Sequence, residues 1–125
     1  MHHPKRRADT LFQDVWLPEE TKKLRVEARQ FAEDVLRPVA HELNTTPESV
    51  DIFPRKQFDA LARSGLYQVP FPSDVGGRGL EFPVLGTLTV IEELGYFVPG
   101  FASALYDGQA ILVGKTLLQA RPGQP

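Results

Sequence analysis

The sequence predicts an all-α fold, and two observations support that prediction. Apolar residues recur every three or four positions in the long regular segments, which is the period of an amphipathic helix. No segment alternates apolar and polar residues as a half-buried strand does. The 125 residues suffice for one domain. We expect it to occupy residues 17–118, between an irregular N-terminal segment 1–16 and an irregular tail 119–125.

The N-terminal segment combines charge with apolar residues. Lys5-Arg6-Arg7 precedes polar residues rather than the apolar core of an export signal, so we expect a mobile basic terminus. Four later side chains are too apolar for a free tail: Leu11, Phe12, Val15 and Trp16. They predict a short helical turn on the core, with Trp16 as a packing residue.

The first long helix begins near Pro18, because proline suits the first helical position and the following Glu19 and Glu20 favour the positive end of the dipole. Pro38 interrupts its apolar stripe at a cost of about 3 kcal/mol. Each large apolar side chain buried beyond it returns about 1.5–3 kcal/mol. We therefore expect the helix to kink at Pro38 and to continue beyond it. The stripe comprises Leu24, Ala28, Phe31, Ala32, Val35, Leu36, Val39, Ala40 and Leu43.

Three further helices are predicted at about 54–64, 83–94 and 101–118. The first ends at Gly65, which can adopt the left-handed conformation, and Leu66 is expected to pack back on Leu61. The last is weakened at Asp107-Gly108. Inward-facing residues are expected to be Phe58, Leu61 and Ala62 in the first of these helices, and Val84, Leu88, Ile91 and Leu94 in the second.

The stretch 69–80 is predicted to be an ordered loop. Pro70 and Pro72 cannot continue a helix or a central strand, and three glycines follow them. The loop also carries large apolar residues that a flexible tether would lack: Val69, Phe71, Val75 and Leu80.

Composition excludes several classes of function. A net charge of −2 gives no electrostatic basis for nucleic-acid binding. No apolar run approaches the ~20 residues that cross a bilayer. The absence of cysteine excludes disulfides and thiolate metal sites and is compatible with a cytoplasmic location. The three histidines, His2, His3 and His41, lack the spacing of metal ligands, so no metal site is expected.

Three short motifs contain residue types that can bind phosphate or a dinucleotide or act as catalytic groups. Gly114-Lys115-Thr116 follows Gly108 by five intervening residues rather than four and has no preceding strand, so a phosphate loop is disfavoured. Gly77-Arg78-Gly79 lacks the third glycine of a dinucleotide fingerprint. Glu92-Glu93 could supply a general base or a metal pair. Adjacent helical residues diverge by about 100°, however, so a solvated or structural role is favoured.

The order of the signals is more informative than any one of them. Val35-Leu36-Arg37-Pro38, then Phe53-Pro54, then Gly65-Leu66, then the loop 69–80, then Ile91-Glu92-Glu93-Leu94-Gly95, resembles the N-terminal helical domain of acyl-CoA dehydrogenases over residues 17–106. The interval from Tyr106 to Gly114 is several residues shorter than is usual in that family.

The resemblance implies an FAD-dependent oxidoreductase of fatty acid metabolism that oxidises an acyl-CoA thioester at its α and β carbons. In the family, a carboxylate removes the α proton and FAD accepts a hydride from the β carbon. The catalytic glutamate lies in a C-terminal helical domain, and FAD is held mainly by that domain and a middle β-domain. The resemblance assigns no catalytic or cofactor-binding residue to this chain, which we expect to be truncated and inactive alone.

Two residues are implicated in substrate binding by the resemblance. Counting from Glu92-Glu93-Leu94, Ser103 falls on the wall of the acyl-chain cavity and Tyr106 near its floor. The alternative is that both are ordinary packing or surface residues. At the level of function, the alternatives are part of an enzyme that self-associates or joins a complementary subunit, and a non-catalytic helical interaction module that retains only the fold.

Overall fold

The computed structural model describes residues 5–7, 9, 14–47, 49, 53–120 and 123, with the backbone alone for 109–111. The described part is helical and contains no strand, which confirms the predicted fold class. Its α-helices are α1 (Glu19–Phe31), α2 (Ala40–Thr45), α3 (Arg55–Ser64), α4 (Pro83–Gly95), α5 (Pro99–Leu105) and α6 (Gly114–Gln119).

The first helix continues through Pro38, as predicted. After α1 the chain forms a wide π-helical segment, Ala32–Leu36, then a 3₁₀ turn, Arg37–Val39, and then α2. Proline removes one amide donor and crowds the carbonyl four residues earlier, so the change of hydrogen-bonding pattern at this point has a direct steric cause. The expected stripe is buried in α1 at Leu24, Ala28 and Phe31 and in the π segment at Ala32 and Leu36. Beyond Pro38 it is partly buried, at Ala40 and Leu43, which pack against the core.

The core lies where α1 packs on α4 and α4 packs on α5. Gly86 lets the helices approach closely, because a methyl group there would lie 2.8 Å from Leu80 Cδ1 and 3.1 Å from Leu24 Cδ2. The face of α4 turned inward differs from the predicted one. Val84 and Leu88 are 59% and 50% exposed. The buried residues of this helix are Gly86, Thr87, Thr89, Val90, Glu93 and Leu94.

The predicted face of α4 is therefore wrong except at Leu94 and, in part, Ile91, which packs on the edge of the core. A rule based on apolar spacing assumes that the polar side of a helix faces water. In α4 apolar residues lie on both sides, and the buried side includes a charged glutamate whose partners come from α1.

Helix α3 ends at Gly65, whose φ of +81° is the left-handed conformation that was predicted. The hydroxyl of Ser64 completes the stop: it donates to the Leu61 carbonyl at 2.7 Å and accepts from the Leu66 amide at 3.2 Å. Leu61 and Leu66 are buried and Phe58 packs against the core. Ala62 is exposed, so its predicted inward position is wrong, and Ala60 packs on the core instead.

The loop 69–80 is ordered, as predicted. The amides of Gly77 and Gly79 donate to the carbonyls of Pro72 and Phe71 at 2.9 and 3.1 Å. Val69 is buried and Leu80 packs against the core. A methyl group at Gly77 would overlap the carbonyl of Phe71, so only glycine allows these two backbone segments of the loop to approach so closely.

The N-terminal expectations are corrected in two ways. The helical turn exists at Asp14–Trp16, but Trp16 is 93% exposed and Val15 is also exposed, so neither packs on the core. Arg6 is not part of a mobile basic end, because its side chain is buried in ion pairs with α4 and the π segment after α1. Leu11 and Phe12 lie outside the described residues.

The last helical stretch begins at Pro99 and changes character at Tyr106. A second π-helical segment, Tyr106–Leu112, separates α5 from α6. The predicted weak point at Asp107-Gly108 falls inside this segment. The π segment also lies in the interval that is short relative to the acyl-CoA dehydrogenase pattern.

Candidate functional site

The two residues expected to contact substrate lie on one surface. Ser103 is on α5, and Tyr106 opens the π segment that follows. Residues three apart on a helix are neighbours, so their side chains share one side. Ser103 is exposed and its hydroxyl donates to the Asp107 carboxylate at 3.3 Å. Tyr106 is 38% exposed. In the described structure they form an open surface rather than a closed pocket.

A cavity of about 580 Å³ lies on another side of α5. Its lining includes Leu43, Phe58 and Phe101, with Asn44 and Thr46 as polar members. Neither Ser103 nor Tyr106 lines it. Its described lining has no charged side chain.

Glu93 and Glu92 have different environments although they are adjacent. Glu93 is 1% exposed and its carboxylate accepts hydrogen bonds from three arginines: Arg6 at 2.7 Å, Arg25 at 2.9 Å, and Arg29 at 3.0 Å through both Nε and Nη2. The Glu92 side chain is 64% exposed and pairs with Arg25 at 2.9 Å. This geometry supports the structural role predicted for the pair. Sequence reasoning missed the arginine partners, although the spacing of Arg25 and Arg29 places both on one face of α1.

The charges around Glu93 alter its protonation. Burial by itself would raise the pKa of Glu93, but the hydrogen bonds from Arg29 and Arg25 and the charge of Arg6 outweigh it, so the pKa lies below its ordinary 4.5. The pKa of Arg29 is raised, first by its hydrogen bonds to Glu93 and then by those to Asp9. A carboxylate held ionised by three guanidinium groups is a weak base, which argues against Glu93 as a proton acceptor.

The two glycine motifs have structural roles in the described chain. Arg78, between Gly77 and Gly79, forms a two-pronged ion pair with Glu27 on α1 at 2.8 and 3.0 Å, which ties the loop to that helix. Gly114 begins α6 directly after the π segment, without a preceding strand. The absence of a strand before α6 disfavours the phosphate-loop interpretation further.

The cavity described above does not fit the flavin that the resemblance implies. A flavin dinucleotide carries a diphosphate, which proteins hold with basic side chains or clustered backbone amides. The described cavity lining offers no basic side chain. The buried polar atoms without a described hydrogen-bond partner include Thr21 Oγ1 and Gln68 Oε1, and both lie outside that lining.

The described residues contain no group of three His, Cys, Asp or Glu side chains able to hold a metal ion. Among them, no helix is long and apolar enough to cross a lipid bilayer.

Comparison with known proteins identifies the family. The profile of the acyl-CoA dehydrogenase N-terminal domain matches residues 18–120, which extends the inferred resemblance beyond Tyr106. No solved structure gives a significant match.

Three relatives show the range of similarity. The mitochondrial short-chain specific acyl-CoA dehydrogenase of Rattus norvegicus is 35% identical over 77 residues, 62% of this chain and 18% of the relative. The short-chain specific acyl-CoA dehydrogenase of Clostridium acetobutylicum is 31% identical over 81 residues, 65% of this chain and 20% of the relative. The acryloyl-CoA reductase (NADH) of Anaerotignum propionicum is 38% identical over 66 residues, 53% and 16% of the two chains. The chain therefore spans about a fifth of the length of these relatives, and it belongs to the acyl-CoA dehydrogenase family through that family's N-terminal domain.

Proposed function

We propose that this chain supplies the N-terminal helical domain of an FAD-dependent acyl-CoA dehydrogenase, an oxidoreductase that introduces a double bond between the α and β carbons of an acyl-CoA thioester. The observation that carries the proposal is the family match over residues 18–120. As the resemblance implies, we assign FAD and the catalytic carboxylate to the family's other domains or to a complementary chain.

The exposed apolar side chains of α4 support assembly with more protein. Val84 and Leu88 are four residues apart on one helix face, and Phe82 lies just before the helix; all three are exposed. Contiguous exposed apolar side chains mark surfaces that another protein surface covers. The same observation supports the second candidate, a non-catalytic helical interaction module.

We infer that the polypeptide of these 125 residues, by itself, has no dehydrogenase activity. Catalysis requires a base positioned at the α carbon together with a hydride acceptor. Glu93 and Glu92 are poorly suited to act as that base: Glu93 is held ionised by arginines, and Glu92 lies in an exposed ion pair. The purified chain, mixed with FAD and a panel of acyl-CoAs, should give no turnover above a mock purification. Specific turnover that survives this control would reject the inference.

A chimera tests the family function directly. Residues 18–120 would replace the matching segment of the Rattus norvegicus short-chain specific enzyme, and oxidation of a short-chain acyl-CoA would be measured. Retained activity supports the dehydrogenase role. A folded, flavin-loaded chimera without activity supports the interaction module, because a domain that keeps only the fold need not complete an active site.

We also propose that Ser103 and Tyr106 line the acyl-chain cavity and favour short or branched acyl groups. Two of the relatives above are short-chain specific acyl-CoA dehydrogenases. A tyrosine ring near the cavity floor occupies volume that a longer chain would need, and each buried methylene is worth about 0.8 kcal/mol.

The chain-length proposal predicts the effect of Tyr106→Ala in the chimera. We expect the profile of kcat/KM against acyl length to move towards longer chains, in a graded way, because one methylene usually discriminates by only ~1–3 kcal/mol. Tyr106→Phe is the matched control and should keep the short-chain profile, since it retains the ring. An unchanged profile in a folded Tyr106→Ala chimera would remove Tyr106 from the cavity.

A further inference from the structure

A short N-terminal segment, here called the strap, docks on the helices through ion pairs of opposite polarity. Its described residues are Lys5, Arg6, Arg7 and Asp9. Arg6 reaches into acidic positions, with Nη1 2.7 Å from Glu93 and Nη2 3.3 Å from Glu33. Asp9 makes the opposite contact, accepting from both terminal nitrogens of Arg29 at 2.9 and 3.0 Å. Arg6 and Asp9 therefore each meet the opposite charge on the helices.

The strap is also folded on itself. The Arg6 amide donates to the Asp9 carboxylate at 2.8 Å, and the Asp9 amide donates to the Arg6 carbonyl at 3.0 Å. This local turn holds the two charged side chains at a fixed spacing. With this spacing Arg6 reaches Glu93 and Glu33 while Asp9 reaches Arg29, so the two contacts form together.

Arg6 makes a second kind of contact, at the connection between α4 and α5. Its guanidinium carbon lies 3.8 Å above the centre of the Tyr96 ring and 5.4 Å from that of Phe97. The two rings pack edge to face with their centres 5.0 Å apart. A guanidinium over an aromatic face is attracted by the ring's electron density, more strongly when it is shielded from water. The Arg6 side chain is only 8% exposed.

We propose that the strap is a positioning element that holds the turn Tyr96–Val98 and, through it, the direction of α5. One side chain, Arg6, ties the end of α4 at Glu93, the π segment at Glu33 and the aromatic pair of the turn. Without it, Tyr96 loses its cation and Glu93 loses one of its three arginines. Holding the turn is independent of the proposed function. The further consequence, that the strap orients the surface of Ser103 and Tyr106, rests on the proposed function.

Hydrogen exchange on the 125-residue chain tests the proposal without any activity measurement. The amides of Tyr96, Phe97 and Val98 donate to the carbonyls of Glu92 and Leu94. In Arg6→Ala we expect these amides to exchange at least tenfold faster. Amides of α3, which lies away from the strap, should keep their wild-type rates. Lys5→Ala removes the same charge one residue earlier from an exposed position, and it should match the wild type.

Reciprocity provides the second measurement, because coupling between two sites acts equally in both directions. Tyr96→Leu leaves every ion pair of the strap in place and removes only the ring under Arg6. It should accelerate exchange of the Arg6 and Asp9 amides, again with α3 unchanged. Arg6→Lys keeps the charge without the planar fork and should give rates between those of the wild type and Arg6→Ala.

Three results would overturn the proposal. The first is wild-type exchange at Tyr96–Val98 in Arg6→Ala. The second is acceleration of all helices alike, α3 included, which would show general destabilisation without positioning of the turn. The third is unchanged strap exchange in Tyr96→Leu, which would show that the turn and the strap are not coupled.

Discussion

Replacing Glu93 by glutamine tests how much the buried ion cluster stabilises the fold. The substitution keeps the size of the side chain and removes a charge from a residue that is 1% exposed. Breaking a buried ion pair by removing one partner typically costs about 3–5 kcal/mol. Each arginine here retains another carboxylate, Arg6 with Glu33, Arg25 with Glu92 and Arg29 with Asp9. We therefore expect a somewhat smaller loss of about 2–4 kcal/mol.

This loss is large relative to the whole stability of a domain, which is typically about 5–15 kcal/mol. For a domain of this size it corresponds to a fall in Tm on the order of 10 °C. The assay is urea unfolding followed by circular dichroism at 222 nm, with thermal unfolding as a second measure.

Glu92→Gln is the matched control for this prediction. It makes the same chemical change at the adjacent position, where the side chain is 64% exposed and makes one described ion pair, to Arg25. Exposed pairs contribute about 0–1 kcal/mol, so its unfolding midpoint should stay close to that of the wild type. Equal losses in the two variants would refute the reasoning, because burial would then make no difference to the value of the charge.

The remaining predictions concern acid and glycine. The folded-state pKa of Glu93 lies below its unfolded 4.5, so the unfolded chain binds more protons and the stabilisation, complete above about pH 4.5, is lost as pH falls through the lower folded-state value. Acid titration followed by circular dichroism should therefore show a weaker pH dependence in Glu93→Gln than in the wild type, and identical curves would contradict this. Gly77→Ala should cost about 3 kcal/mol or more, because its methyl group meets the Phe71 carbonyl, a backbone group that cannot turn aside. Gly100→Ala, in open space within α5, should be neutral or stabilise by up to about 1 kcal/mol; urea unfolding of the two variants side by side would expose an error in either assignment.

The order of helices was predictable because each has a local cause. Proline opens α4 and α5, Gly65 ends α3, and the apolar stripe carries the first helix past Pro38. These features depend on neighbours within a few residues in the chain. The loop 69–80 was predictable for the same reason, since its prolines and glycines allow little else.

The contacts between distant segments were not predictable in the same way. The inward face of α4 depends on Glu93, whose burial is tolerable only because arginines from two other segments surround it. From the sequence alone, a carboxylate is predicted to be a surface residue. The pairing depends on the packing of α1 against α4, because that packing brings Arg25 and Arg29 within hydrogen-bonding distance of Glu93.

Ser103 and Tyr106 illustrate a different limit. Their positions came from a resemblance and not from spacing or charge. In the described structure both are on the outside of α5 and the segment after it. A residue whose role depends on another domain carries no sign of it in the spacing or charge of its own helix, so only the resemblance could single out these two.

The single tryptophan has a practical consequence for anyone studying this chain in solution. Trp16 is 93% exposed, next to the residues that join the N-terminal region to α1. Its indole is already in water in the folded state, so unfolding changes its surroundings little and its fluorescence is a poor measure of core stability. The same exposure makes it a sensitive reporter of docking, because a protein surface that covers this end would shield the indole from acrylamide quenching and shift its emission to the blue.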